Sequence, residues 1–281
     1  MQTGEPSRTA WAAAFHRAAH QALDGGRIFA DPLALRILKE DAAGVARRLE
    51  ERASDRRMRI FIAVRARFAE DSLAAALDRG ARQLVILGAG LDTYAYRGGL
   101  RDGLRIWEVD HPATQAWKRQ RLEEVDIALP ANLTFAPVDF ERETLAEGLA
   151  AAGFDPGAQS FFTWLGVVPY LTGDAIQATL GFIGGLPGGA HVVFDYADPP
   201  ESLSPELRAA HELRAARVAE AGEAFRSYFD AAGMRAMLLG LGFRDIEDLG
   251  PPKIAARYFP GRVASMPERG GHVVRASTTL P

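Results

Sequence analysis

The residue types that could do chemistry cluster at the ends of short apolar runs. Leu84 to Leu87 is an apolar run with Val and Ile, and Gly88-Ala89-Gly90 follows it at once, with Asp92 and Thr93 just beyond. A second run, Ile106 to Val109, ends on Asp110, 20 residues beyond Gly90. The first run has the composition of a strand buried on both faces of a parallel sheet. Two glycines allow a tight turn and let a ligand approach the backbone. The spacing to Asp110 is the one at which a nucleotide-binding unit places a carboxylate on ribose hydroxyls. Further acids and aromatics close later runs: Asp139 and Phe140, Trp164 to Gly166, and Asp195 with Tyr196. Open parallel sheets bind ligands at the carboxyl ends of their strands, so all of these fall at one edge.

Two ligands compete for such a turn. A dinucleotide site reads Gly-x-Gly-x-x-Gly, but Thr93 stands where the third glycine belongs, and Asp92 sits where a pyrophosphate would lie. A carboxylate there repels a diphosphate and occupies its anion site. S-adenosylmethionine carries a sulfonium and an ammonium and no phosphate, so an acidic turn suits it. Gly88, Ala89, Gly90 and Asp92 are therefore candidate cofactor contacts. Asp110, followed by His111, can accept both ribose hydroxyls, since a carboxylate has two acceptor oxygens. The plainer alternative makes Asp110 the cap of a helix starting at Pro112. Asp139 suits the adenine amino group with Phe140 on the ring, or caps a helix over residues 141–152.

The block Gly88-Ala89-Gly90-Leu91-Asp92-Thr93, followed by Glu108-Val109-Asp110, resembles the leucine carboxyl methyltransferase family of class I S-adenosylmethionine-dependent methyltransferases, and its bacterial small-molecule branch in particular. The likeness extends through Ser7-Arg8-Thr9-Ala10, Phe29 to Ala34, Arg65-Ala66-Arg67-Phe68, Trp164 to Leu171, and Ala256 to Phe259. The resemblance implies S-adenosyl-L-methionine as cofactor, with Arg65 on its methionine carboxylate and Trp164 at the site. It also implies transfer of a methyl group to a carboxylate or hydroxyl oxygen of a small molecule. Methylation of a protein C-terminal carboxylate and cofactor binding without turnover are the alternatives. Leu165 departs from the pattern, because many relatives carry Trp-Glu-Gly where this chain has Trp164-Leu165-Gly166. A carboxylate acceptor is ionised at neutral pH and needs no catalytic base, and no single base stands out here.

The composition excludes several classes. The 281 residues are 48% hydrophobic and 25% charged, with net charge -3 and no Cys. This is globular composition without a long basic run, so nucleic acid and a basic membrane anchor are unsupported. Disulfides and thiolate metal sites are ruled out, and the six His form no metal-ligand spacing. No catalytic metal is expected. His16 and His20, on one helix face, read as surface residues. No apolar run approaches transmembrane length, and a soluble cytoplasmic protein is expected.

The elements that position these residues follow from periodicity. Residues 1–80 read as a helical preface, with helices from Arg8 to Leu23, from Asp31, from Asp41 and from Arg56 to Leu77. From Gln83 onward strands and helices alternate, so the expected fold is α/β. The resemblance makes it Rossmann-like, a mostly parallel seven-stranded sheet with helices on both faces. A helix is expected to start at Asp92 or Thr93. One domain, residues 1–281, is expected, with its core at 81–281 and a helical insert at about 197–227. Preface and insert exceed what a minimal nucleotide-binding sheet needs. Together with Tyr196, Arg226 and Tyr228 they are expected to wall the acceptor pocket.

Overall fold

In a computed structural model of the chain, residues 7–50, 56–139, 142–220 and 222–279 are described. Seven strands form a mixed sheet in the order β3-β2-β1-β4-β5-β7-β6, a Rossmann-like α/β arrangement. They are β1 (Gln83–Leu87), β2 (Arg105–Asp110), β3 (Leu133–Pro137), β4 (Ser160–Trp164), β5 (Ala190–Ala197), β6 (Asp245–Leu249) and β7 (Gly271–Ser277). The chain divides into two compact units interleaved in sequence: Met1–Arg67 with Arg82–Phe154, and Phe68–Ala81 with Asp155–Pro281.

In the first unit β1, β2 and β3 pair in parallel, with Leu87 opposite Val109 and Ile106 opposite Leu133. Every residue of β1 is buried, as its unbroken apolar run requires. The preface is helical: α1 (Arg8–Asp24), α2 (Ala34–Leu38), α3 (Ala42–Glu50) and the start of α4 (Arg56–Asp78). Ser7 caps α1 by accepting from the Ala10 amide, and Gly25 ends it at a φ of 63°. Alanines and Phe15 of α1 pack with Ile37, Leu38, Val45 and, from beyond β1, Leu91. His20 is not at the surface. It is buried, accepts from the Ile28 amide at Nε2 and donates from Nδ1 to Asp24 at 3.0 Å, and Asp24 also holds Arg59 of α4.

After β2, α5 (Pro112–Glu124) begins with proline in its first turn. Gln115 of α5 donates to the carbonyls of Glu108 and Ala136, clamping β2 to β3. The helix α6 spans only Leu145–Ala151. Thr144 and Glu147 form a capping box at its start, so the cap expected of Asp139 lies five residues downstream. The expected helix at Asp92 or Thr93 is replaced by a single 3-10 turn, Tyr94–Tyr96. The Asp92 side chain accepts from the Tyr94 amide at 2.8 Å and Thr93 spends its hydroxyl on Asp31. Such local bonds compete with helix formation, and Gly98 and Gly99 at positive φ close the segment.

In the second unit β4 and β5 are parallel, while β7 runs antiparallel to both β5 and β6. Helices α7 (Gly173–Gly184) and α9 (Ala231–Gly240) are capped by Thr172 and Asp230. The insert is helix α8 (Pro205–Glu220), and α10 (Pro251–Tyr258) follows β6. The ends of β5, β6 and β7 are tied by a charged network. Tyr196 donates to Asp248 at 2.5 Å, and His272 donates from Nδ1 to Asp248 at 2.8 Å and from Nε2 to Asp198 at 3.1 Å. Both ring nitrogens face carboxylates, so the imidazolium is the form that fits. Burial pushes its pKa down, but the hydrogen bond and charge of Asp248 and those of Asp198 outweigh it and raise the value.

A folded-state pKa raised above the unfolded one means that this stabilisation is full below the unfolded value and fades as pH rises through the folded one. Urea denaturation should therefore show wild-type stability falling between pH 6 and pH 9 more steeply than that of His272→Gln. Equal slopes would remove the imidazolium from the network.

Candidate functional site

The turn after β1 is built by its neighbour strand. Gly88 and Gly90 hold φ values of 64° and 44°, a region that favours glycine. The amides of Gly88 and Ala89 both donate to the Val109 carbonyl, at 2.8 and 3.1 Å, and that of Asp92 donates to the Ala89 carbonyl at 2.7 Å. The Gly90 amide donates to Asp110 Oδ2 at 2.6 Å, and the His111 amide to Asp110 Oδ1 at 2.7 Å. Burial raises the Asp110 pKa, opposed by these two backbone bonds.

These bonds leave the turn few free donors. A diphosphate is held by free amides at such a turn. Here four amides already serve the protein, and Asp92 adds a negative charge. Each Asp110 oxygen accepts one bond and keeps capacity for another, the requirement for two ribose hydroxyls. The turn thus suits a cationic nucleoside without phosphates.

The other expected contacts fall as follows. His111 is the cap of α5, its Nδ1 accepting from the Ala113 amide at 3.2 Å, so the capping alternative for Asp110 falls to its neighbour. Arg65 is buried on α4, with 8% exposure. Asp139 follows β3, donates its amide to Glu143 and lies 3.6 Å from Arg142. Phe140 lies outside the described residues. In the second unit Trp164 is buried in β4 against Phe194. The next turn repeats the first one's device: Gly166, at a φ of 73°, donates its amide to Asp195 of β5 at 2.6 Å.

The three residues expected at an acceptor pocket are placed as follows. Tyr196 is 2% exposed, with its hydroxyl committed to Asp248. Tyr228 is half-buried beside His211 of α8. Arg214 lies 3.1 Å from His211 Nδ1, and a guanidinium only donates, so Nδ1 accepts and Nε2 carries the proton. His211 then donates to the Tyr228 oxygen at 2.9 Å, leaving the Tyr228 proton for another acceptor. Burial and the Arg214 charge lower the His211 pKa, keeping the ring neutral. Arg226 is exposed two residues before Tyr228, its amide bonded to the Pro169 carbonyl.

Sequence reading missed one charged pair next to the turn. Glu108 lies two residues before Asp110, on the same face of β2. It is fully buried and receives Lys118 of α5, 1% exposed, at 2.7 Å. Burial lifts the Glu108 pKa to about 7, against the charge and hydrogen bond of Lys118. Its spacing of ten residues from Lys118, across a strand end and a helix start, carried no local signal. Among the described residues no group of three or more His, Asp and Glu side chains could hold a metal ion, and no helix is long and apolar enough to cross a membrane.

Two outcomes follow. Lys118→Met should destabilise the fold by roughly 3–5 kcal/mol, because it strands a buried charge, and Glu108→Leu combined with it should recover most of the loss. Urea titration decides, and a double variant weaker than either single one would contradict the pairing. Gly90→Ala should destabilise the fold in the same urea titration, since a Cβ there meets the Cβ of Ala10 at 2.9 Å at a φ of 44°.

Comparison with known proteins identifies the family. Residues 10–184 match the family model for leucine carboxyl methyltransferase. The Bacillus subtilis protein YktD, named among S-adenosyl-L-methionine-dependent methyltransferases, is 31% identical over 93% of this chain and 94% of its own. A Frankia alni protein of the same description is 34% identical over 65% of this chain and 66% of its own. Among solved structures, a "possible exported protein" from Bordetella parapertussis superposes with a TM-score of 0.50 at 16% identity, covering 98% of both chains, a likeness of fold alone. The chain belongs to the leucine carboxyl methyltransferase family and is an S-adenosyl-L-methionine-dependent methyltransferase.

Proposed function

We propose that this methyltransferase acts on an oxygen of a small-molecule acceptor, most simply a carboxylate, and that its cofactor is held in the first unit by Arg65, the Gly88-Ala89-Gly90 turn, Asp92, Asp110, His111, Asp139 and Phe140. The observation that carries the cofactor site is the Asp110 carboxylate, fixed by the Gly90 and His111 amides with acceptor capacity to spare. When bound, S-adenosylmethionine supplies a methyl group already activated on sulfur. The protein's task is then to align the acceptor oxygen and exclude water. Asp110 orients the ribose, and the charge of Asp92 favours the cationic end of the cofactor.

Carboxylate chemistry is supported by the family's description and by the arrangement around Tyr228. A carboxylate arrives ionised, so it needs donors and no base. Tyr228 has a proton to give because His211 donates to its oxygen, and Arg226 adds a guanidinium nearby in sequence. Tyr196 serves this segment indirectly: its ring packs edge-on against Phe229, whose amide donates to the Ala197 carbonyl.

Isothermal titration with S-adenosylhomocysteine tests the cofactor site. Asp110→Ala should lose roughly 1.5–3 kcal/mol of affinity, the value of charge-assisted hydrogen bonds, with the fold retained. Unchanged affinity would place the ribose elsewhere. For the acceptor, labelled S-adenosylmethionine with a panel of small carboxylic acids and phenols should yield base-labile methyl esters, and turnover should persist in excess EDTA. Base-stable ethers would shift the reading to hydroxyl acceptors.

A further inference from the structure

The residues that follow the glycine turn are gripped from the helical preface. Arg17 of α1 donates from Nη2 to the Leu91 carbonyl at 2.5 Å and from Nε to Asp31 Oδ2 at 3.1 Å. The Thr93 hydroxyl donates to the same Asp31 oxygen at 2.9 Å. The other oxygen of Asp31 accepts from the Leu33 amide at 3.1 Å. Asp31 is 1% exposed and Thr93 2%. A buried carboxylate is costly unless fully partnered, so Asp31 has few places to be. It fixes Arg17, and Arg17 and Thr93 fix the backbone on both sides of Asp92. The side chain of Leu91 is meanwhile sunk among Ala14, Phe15, Ala18 and Ile37, and α1 approaches so closely that Gly90 has no room for a Cβ beside Ala10.

The contacts end on the short segment whose conformation lets the Gly90 amide reach Asp110. Nothing else in that segment resembles a helix or strand that could hold it, since only one 3-10 turn follows. Shifts well under 1 Å at such a turn would change its fit to a ligand.

We propose that Arg17, Asp31 and Thr93 are positioning residues that set the glycine turn for S-adenosylmethionine, so that docking of α1 and binding of the cofactor stabilise one another. This rests on the cofactor site proposed above. By linkage, whatever the cofactor gains from a docked α1, α1 gains from the cofactor.

The test uses the full chain and S-adenosylhomocysteine. Thr93→Val keeps the shape and removes one hydroxyl. It should weaken affinity by about tenfold, the loss expected for a bond to a buried charge, while the protein without ligand still folds, with a lower melting temperature for the bond lost to Asp31. Thr93→Ser should restore affinity to within about twofold of wild type. Asp31→Asn combined with Thr93→Val should bind no more weakly than Asp31→Asn alone, because both act through one contact. Hydrogen exchange across Arg8–Asp24 should slow on ligand addition in the wild type and change less in Thr93→Val. Wild-type affinity in Thr93→Val, or exchange in α1 that ignores the ligand in the wild type, overturns the proposal, and neither result depends on Asp31→Asn folding. A wild type that binds no S-adenosylhomocysteine would instead overturn the cofactor site itself.

Discussion

The hydrogen bond from the Gly90 amide to the Asp110 carboxylate is the constraint around which the first unit is arranged. It joins the turn after β1 to the end of β2 at 2.6 Å. For it to form, Gly90 must sit at positive φ, β2 must stand beside β1 in the observed register, and α1 must leave the turn its narrow space. In the proposed cofactor site the same bond would favour one ligand over another: it consumes an amide that a phosphate would want and fixes a carboxylate that a ribose would want.

The second unit repeats this device at Gly166 and Asp195. In both places an acid on the neighbouring strand accepts from a glycine in the turn that follows the strand before it. The arrangement is economical because a carboxylate at a strand end can hold a backbone amide and still offer lone pairs outward. Around these points the protein buries several charges in matched sets: Glu108 with Lys118, Asp31 with Arg17, and His272 between Asp198 and Asp248. Buried pairs of this kind add little net stability over apolar replacements, but they penalise any other arrangement once one partner is in place. They specify geometry near strand ends, where irregular backbone provides no ladder of its own.

The insert supplies a chemical detail of a different kind. Arg214 dictates the tautomer of His211, His211 dictates the direction of its bond to Tyr228, and a hydroxyl that could face either way is left as a donor. Each step follows from what a group cannot do. A guanidinium cannot accept, and a neutral imidazole cannot donate from both nitrogens.

The strands were legible in the sequence, because a run such as Leu84 to Leu87 has one physical solution, burial on both faces of a sheet. So were the glycine turn, the acid at Asp110 and the cap at Thr172, whose signals lie within a few residues. The resemblance to the family also rested on local blocks. Other features were misjudged where a competing partner, local or distant, overrode the expected one. Asp92 and Thr93 look like helix caps, yet one bonds the Tyr94 amide and the other reaches Asp31, 62 residues away. His20 looks like a surface residue until Asp24, Ile28 and Arg59 close around it. Asp110 looks like a cap for α5, but His111 takes that place and the Asp110 carboxylate accepts from the Gly90 amide. Sequence by itself determined which residues end the strands. The tertiary structure alone decided which partners those residues meet, because hydrogen bonds and charge pairs between distant segments leave no periodicity in the chain.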